Sequence, residues 1–177
     1  QNLLKTGMLP EVLNITEPQK ITSIHSAYKA VGCDVATSNT FGANSYKLKD
    51  SGYSVDEIVT AGVKNAKAAG CRFTALDIGP TGQLLAPLGT LSFDEAYQMF
   101  AEQIIAGEKA GADFVLFETF SDLTELKAGV LAAKENSSLP IAASLTYTPD
   151  GRTFVGVDPI CAAVTLSELG VSAIGVN

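Results

Sequence analysis

Short runs of consecutive apolar residues alternate along this chain with longer segments whose apolar residues recur every three or four positions. Four of the runs share one frame: VGCDVATSNTF, AGCRFTALDIG, AGADFVLFETF and LGVSAIGVN. Each has a glycine (Gly32, Gly70, Gly111, Gly170) at the end of a helical pattern, where a left-handed cap is expected. Beyond the glycine the run is apolar at nearly every position, as in a strand covered on both faces. A fifth run, PIAASLTY, starts at Pro140. The pattern predicts strands near 33–40, 71–78, 112–119, 140–147 and 171–176. Helices are predicted near 54–69, 92–110, 122–136 and 158–169, after a leading helix at about 17–31.

The helix starts are written in capping residues. Ser54-Val-Asp-Glu57 and Ser92-Phe-Asp-Glu95 fit the capping box, and Asp122-Leu-Thr-Glu125 is an acidic relative of it. Thr16-Glu-Pro18 and Asp158-Pro159 read as N-caps with proline in the first turn, where its missing donor costs nothing. Strict alternation at this spacing implies βα units around a parallel sheet. Two architectures share that signature, a doubly wound open sheet and a (β/α)8 barrel. No GxGxxG follows the first strand and no GxxxxGK[ST] occurs, so the nucleotide-binding forms of the open sheet lose their main support. Near-uniform repeats and an opening helix without its strand favour a barrel. A complete one takes about 250 residues. The expectation is therefore an incomplete TIM barrel, lacking its first strand and last units, with residues 1–177 forming part of one domain.

Composition narrows the function. The chain has 177 residues, 46% hydrophobic and 18% charged, which describes a soluble globular domain rather than a disordered one. A net charge of -7 argues against nucleic acid as a partner, since neutralising phosphates needs clustered Lys and Arg. No apolar stretch approaches the ~18 residues of a membrane span. Three cysteines, Cys33, Cys71 and Cys161, are widely separated without a CxxC pair, and with no secretory segment they point to reduced thiols in a cytoplasm. Cys33 and Cys71 start their strands, opposite the ligand face, and Cys161 lies in the first turns of a helix. The three cannot converge on one zinc and read as small buried hydrophobes.

In parallel α/β domains ligand groups gather at the carboxyl ends of the strands. Those ends read Ser38-Asn39-Thr40-Phe41, Asp77-Ile-Gly79-Pro80-Thr81-Gly82, Glu118-Thr119-Phe120-Ser121-Asp122, Ser144-Leu-Thr146-Tyr147 and Asn177. One polar ending means little, because such residues also build loops; five on one rim describe a pocket. Asp122 reads as a helix cap rather than a catalyst. Asn39 and Asp77 either tie down their own loops or meet a ligand. GPTG reads as a tight turn that lets backbone approach a ligand. His25, the single histidine, reads as structural. Glu118 stands apart: glutamate is depleted in strands and rarely buried unpaired. At a strand terminus it offers an acceptor to a cationic group, the competing reading being a salt bridge to a neighbouring Lys or Arg.

Written out in this order, the chain resembles the homocysteine S-methyltransferase family, and within it the cobalamin-dependent methionine synthase branch. The matching stretches are LPEVLNIT, SNTFGAN at 38–44, DIGPTG at 77–82, FETFSDLTELKAG at 117–129, TYTPDGRTFVGVDP at 146–159 and IGVN at 174–177. DIGPTG and the DGRT loop favour that branch over betaine- or S-methylmethionine-using relatives. The resemblance implies a (β/α)8 barrel that transfers a methyl group to the homocysteine thiol, activated by a zinc ion on three cysteines. The methyl donor in that branch is methylcobalamin on another module, recharged by methyltetrahydrofolate on a folate-binding one. In the family one zinc cysteine follows the asparagine matching Asn177, and the other two form a GGCC pair at the eighth strand. Neither element is in this chain, nor is the DGAMGT-like loop of the first strand. The resemblance leaves half a substrate site here: Glu118 for the homocysteine ammonium, Asn39, Thr40 and Phe41 lining the pocket, and Asp77 and Asn177 by rim position and adjacency.

The chain alone is accordingly expected to be inactive and to bind zinc no better than scattered thiols. A non-catalytic binding module that has lost the metal is the alternative of another class, and an unrelated barrel enzyme a third. Five parallel strands leave two outer strands with unpaired backbone and apolar side chains. Self-association through those edges, or aggregation, is expected.

Overall fold

The structure, a computed structural model, describes residues 9–177. A 3-10 turn (Pro10–Val12) and a short helix α1 (Leu13–Thr16) lead into α2 (Pro18–Ala30). Then come β1 (Val35–Thr37), α3 (Ser45–Leu48), α4 (Val55–Ala68), β2 (Phe73–Ile78) and α5 (Phe93–Ala110). The chain continues through β3 (Phe114–Phe120), α6 (Leu123–Asn136), β4 (Ile141–Leu145), α7 (Pro159–Glu168) and β5 (Ala173–Val176). The five strands pair in parallel in the order β1-β2-β3-β4-β5. Sequential neighbours joined by helices are the arrangement of a barrel wall, and the open sheet with a reversing strand order is set aside.

The local signals act as predicted. Ser54 and Ser92 each accept the amide of the residue three on, Glu57 and Glu95, and those glutamates reach back to the cap amides. Gly32, Gly70, Gly111 and Gly170 all have positive φ, between 73° and 97°. Asp158 accepts from the Ile160 amide at 2.8 Å. Thr16 is not a cap: the chain is already helical through Leu13–Thr16, so its hydroxyl bonds back to the Val12 carbonyl while Glu17 breaks the helix. Asp122 caps α6 through the Thr124 amide at 2.7 Å, but Glu125 does not reciprocate and turns inward instead.

The core lies between the sheet and α4, α5 and α6. Leu76, Ile78, Val115, Phe117 and Leu145 point outward from the strands onto Ile58, Val63, Phe100, Ile104, Leu126 and Val130, and all of these are fully buried. Phe100, Phe117 and Phe120 form a triangle with ring centroids 5.8 to 6.0 Å apart, two of the pairs edge-on as aromatic quadrupoles prefer. The other face of the sheet faces the barrel axis, and there Phe73 and Val35 are exposed. β1 and β5 are the outer strands, and β5 is exposed along its length.

The cysteines depart from expectation. Cys33 and Cys161 are exposed and Cys71 is half-buried, all three free. Cys33 and Cys71 precede the first paired residues Val35 and Phe73, in loops at the amino end of the sheet. Cys161 occupies the face of α7 turned from the sheet, the buried positions there being Ala162 and Leu166.

Candidate functional site

Register places the rim. Leu76 and Ile78 pair with Val115 and Phe117 on the helix-covered face, so Asp77, level with Leu116, faces the barrel axis. Glu118, two residues beyond Leu116, shares that face by the strand's period of two. Gly175, level with Ser144, faces it too, and Asn177 lies two residues on.

At Glu118 the strand stops being regular. Phe117 is level with Ala143 but Phe120 with Leu145, so Glu118 and Thr119 occupy the span of the single residue Ser144. This bulge lets Phe117 and Phe120, three apart, both enter the core. Thr119 absorbs the extra residue at φ 66°, the sole non-glycine positive φ among the described residues. For a β-branched residue that conformation is a genuine outlier, on the order of 1–3 kcal/mol. One side chain meets it and a second holds the first: Asn177 Nδ2 donates to Thr119 Oγ1 at 2.9 Å, and Ser144 Oγ donates to Asn177 Oδ1 at 3.0 Å. Glu118 itself is half-buried and has no salt bridge among the described residues, so the structural alternative of a Lys or Arg partner is not realised.

Asp77 is 7% exposed, and its Oδ1 has no hydrogen-bond partner among the described residues. Burial, then the nearby Glu118 carboxylate, then Glu11 push its carboxyl up to about 8. Near neutrality Asp77 is thus mainly a neutral acid able to donate, beside a glutamate able to accept. His25 borders the same cleft of about 260 Å³ with Thr37, Ser38, Asn39 and Asp77. Its Nε2 is also buried without a partner among the described residues, and burial lowers its pKa.

The SNTF segment serves mostly as scaffold. Thr40 has no exposed surface; its hydroxyl donates to the Asp77 carbonyl at 2.7 Å and lies 2.7 Å from Ser38 Oγ. Ser38 Oγ in turn accepts the Asp77 amide. Asn39 donates to the Pro10 carbonyl and to Asn14 Oδ1, which ties its side-chain amide to the leading segment. Phe41 lies over Gly79, where an added Cβ would come within 2.4 Å of the ring, so only glycine fits. The rim therefore brings together Asp77, Glu118 and Asn177, with Asn39 and Phe41 at its edge and Thr40 beneath it.

Two acids that the sequence pattern does not place at the rim, Glu125 and Glu11, hold its loops in place. Glu125 Oε1 accepts both the amide and the hydroxyl of Thr81, at 2.8 and 2.6 Å, so the GPTG loop is fastened outward and this amide is not free for a ligand. Glu11 Oε1 accepts the Gly42 amide at 2.6 Å. Lys47 lies among them, donating to the Pro80 carbonyl at 2.9 Å and standing over the Phe41 ring. Burial lowers the Lys47 pKa while Glu11 and Glu125 oppose that, and burial raises Glu125 against its Thr81 bonds. Glu125→Ala is expected to destabilise the domain by about 2 kcal/mol in urea denaturation, through buried donors left unpaired at Thr81. Glu125→Gln keeps an oxygen at Oε1 and should lie close to wild type. Equal stability of the Ala variant and wild type would remove this role.

Among the described residues no group of three His, Cys, Asp or Glu side chains is placed to hold a metal ion, and no helix is long and apolar enough to cross a membrane.

A family profile described as Homocysteine S-methyltransferase matches residues 2–177. Methionine synthase of Mycobacterium leprae is 29% identical over 182 residues, covering 94% of this chain and 15% of its own length. That of Mycobacterium tuberculosis gives the same identity and coverage. The chain thus spans about a seventh of these relatives. Among solved structures, the homocysteine methyltransferase MmuM from Escherichia coli superposes with TM-score 0.81 in its metallated form and 0.84 in its oxidized form. At 20% and 18% identity these show the shared fold, with 98% of this chain matched to 68% of the neighbour. Five parallel strands in sequential order, matched along nearly the whole chain by sequence profile and by shape, establish a partial TIM barrel. This chain belongs to the homocysteine S-methyltransferase family.

Proposed function

We propose that this chain supplies the amino-acid grip of an enzyme that methylates the homocysteine thiol to give methionine. The observation that carries the reading is Glu118, an acid without a salt-bridge partner among the described residues, presented at the barrel rim by a strained bulge beside a buried neutral acid. An amino-acid substrate brings an ammonium and a carboxylate. The Glu118 carboxylate meets the ammonium, and a neutral Asp77 adds no repulsion toward the substrate's own carboxylate. Asn39 and Phe41 border the pocket and Thr40 supports it from below, while Asn177 closes its far side.

The zinc that the family uses to activate the thiol does not fit the residues here, because among the described residues no three His, Cys, Asp or Glu side chains come together, and Cys33, Cys71 and Cys161 are dispersed. No step is assigned to it; this chain's part is to bind and orient. Similarity to two methionine synthases supports methylcobalamin, recharged by methyltetrahydrofolate, as donor, with cobalamin- and folate-binding modules as partners. The test is methylation of homocysteine by the full-length protein with methylcobalamin, betaine or S-methylmethionine in turn. Turnover with methylcobalamin alone is expected. Turnover with one of the other donors instead would reassign the branch, and folded protein inactive with all three would overturn the enzyme reading.

A further inference from the structure

Three observations converge on the end of β3. Thr119 holds a backbone conformation that β-branched residues avoid. Its neighbour Glu118 is the acid on which the proposed substrate grip depends. The only side chain hydrogen-bonded to Thr119 among the described residues is Asn177, 58 positions later, whose amide oxygen is itself held by Ser144. On the opposite face the bulge is wedged by Phe117 and Phe120 against Phe100.

Resting on the homocysteine-binding reading, we propose that Asn177 is a positioning residue for Glu118 rather than a substrate contact. By clamping the Thr119 hydroxyl to Ser144, it keeps the extra residue of the bulge left-handed and so fixes the direction of the Glu118 carboxylate. Both polar atoms of its amide are engaged in this clamp. With Phe117 and Phe120 both held in the core, residues 118 and 119 must share the span of Ser144, so the conformation at Thr119 sets the backbone direction at Glu118, and relaxing it re-aims the Glu118 carboxylate within the rim face. The clamp spans β3, β4 and the residue after β5, so three consecutive strand ends set one carboxylate.

The test uses the full-length protein and three variants. Asn177→Ala is expected to raise KM for homocysteine between about 10- and 100-fold, with kcat little changed, because a displaced grip weakens binding away from the reacting thiol. Thr119→Gly should stay near wild type, since glycine adopts positive φ without strain. Adding Asn177→Ala to Thr119→Gly should then cost less than about threefold, the clamp having become redundant. An Asn177→Ala effect equally large in both backgrounds would overturn the proposal, as would an unchanged KM or a fall in kcat at unchanged KM. Should Asn177→Ala fail to fold, Ser144→Ala removes only the outer hydrogen bond, and a KM equal to wild type there overturns the proposal. A crystal structure of Asn177→Ala gives a readout independent of substrate. Thr119 remaining at positive φ with Glu118 unmoved sinks the clamp, whereas wild-type protein that does not bind homocysteine sinks the functional reading instead.

Discussion

Glu118→Gln in the full-length protein is expected to weaken homocysteine binding by roughly 30- to 150-fold, or about 2–3 kcal/mol. Removing one member of a desolvated charge pair costs about 2–5 kcal/mol, and the half-buried setting of Glu118 places it in the lower part of that range. Glutamine keeps the shape and one acceptor oxygen, so the loss reports charge rather than packing. A sharper control is 4-mercaptobutanoate, which carries the thiol and carboxylate without the ammonium. Wild type and variant should bind it alike if Glu118 meets the ammonium. Calorimetry showing equal homocysteine affinity in the two proteins would remove the central assignment.

Asp77→Asn is expected to change how stability depends on pH. The Asp77 carboxyl is shifted from 3.8 up to about 8, chiefly by burial and then by the Glu118 and Glu11 charges. Between those values the folded protein holds a proton that the unfolded chain has released. Stability contributed at this site therefore falls as pH rises through the window, by up to about 1.4 kcal/mol per pH unit, and the loss is complete above the folded value. Asparagine has nothing to ionise. The stability of Asp77→Asn relative to wild type should thus increase from pH 5 to pH 9 by at least about 2 kcal/mol in paired urea titrations. Because Glu118 is one cause of the shift, the window should move to lower pH in Glu118→Gln. A difference between Asp77→Asn and wild type that is flat across this range would show that Asp77 is ionised and solvated in the folded state.

Much of the architecture is legible in the chain because its determinants are local. The repeated glycines, the Ser54 and Ser92 boxes and the change from continuous to periodic apolar residues each act within a few positions, and helix bounds agree within one residue at most ends. The apolar pattern starts the strands about two residues too early, because Cys33 and Cys71 lie in loops before pairing begins. The rim is legible as a set, but not the division of labour within it. Thr40 and Asn39 are polar residues at a strand end, yet they hold neighbouring backbone and side chains. One further signal lies in FETF, where two polar residues separate two phenylalanines, a spacing no regular strand can bury on one face. That spacing marks the bulge.

Sequence alone determined the order of elements, the parallel sheet and the rim on which polar residues collect, because periodicity and capping depend on neighbours in the chain. Tertiary structure decided which acid serves which purpose. Glu125 looks like the partner of a cap four residues long and instead reaches Thr81, 44 positions away. Asn177 meets Thr119 across 58 positions, and Asp77 becomes a neutral acid only because folding buries it beside Glu118 and Glu11. Hydrogen-bond partners and desolvation are properties of groups brought together through space, and local pattern carries no record of them.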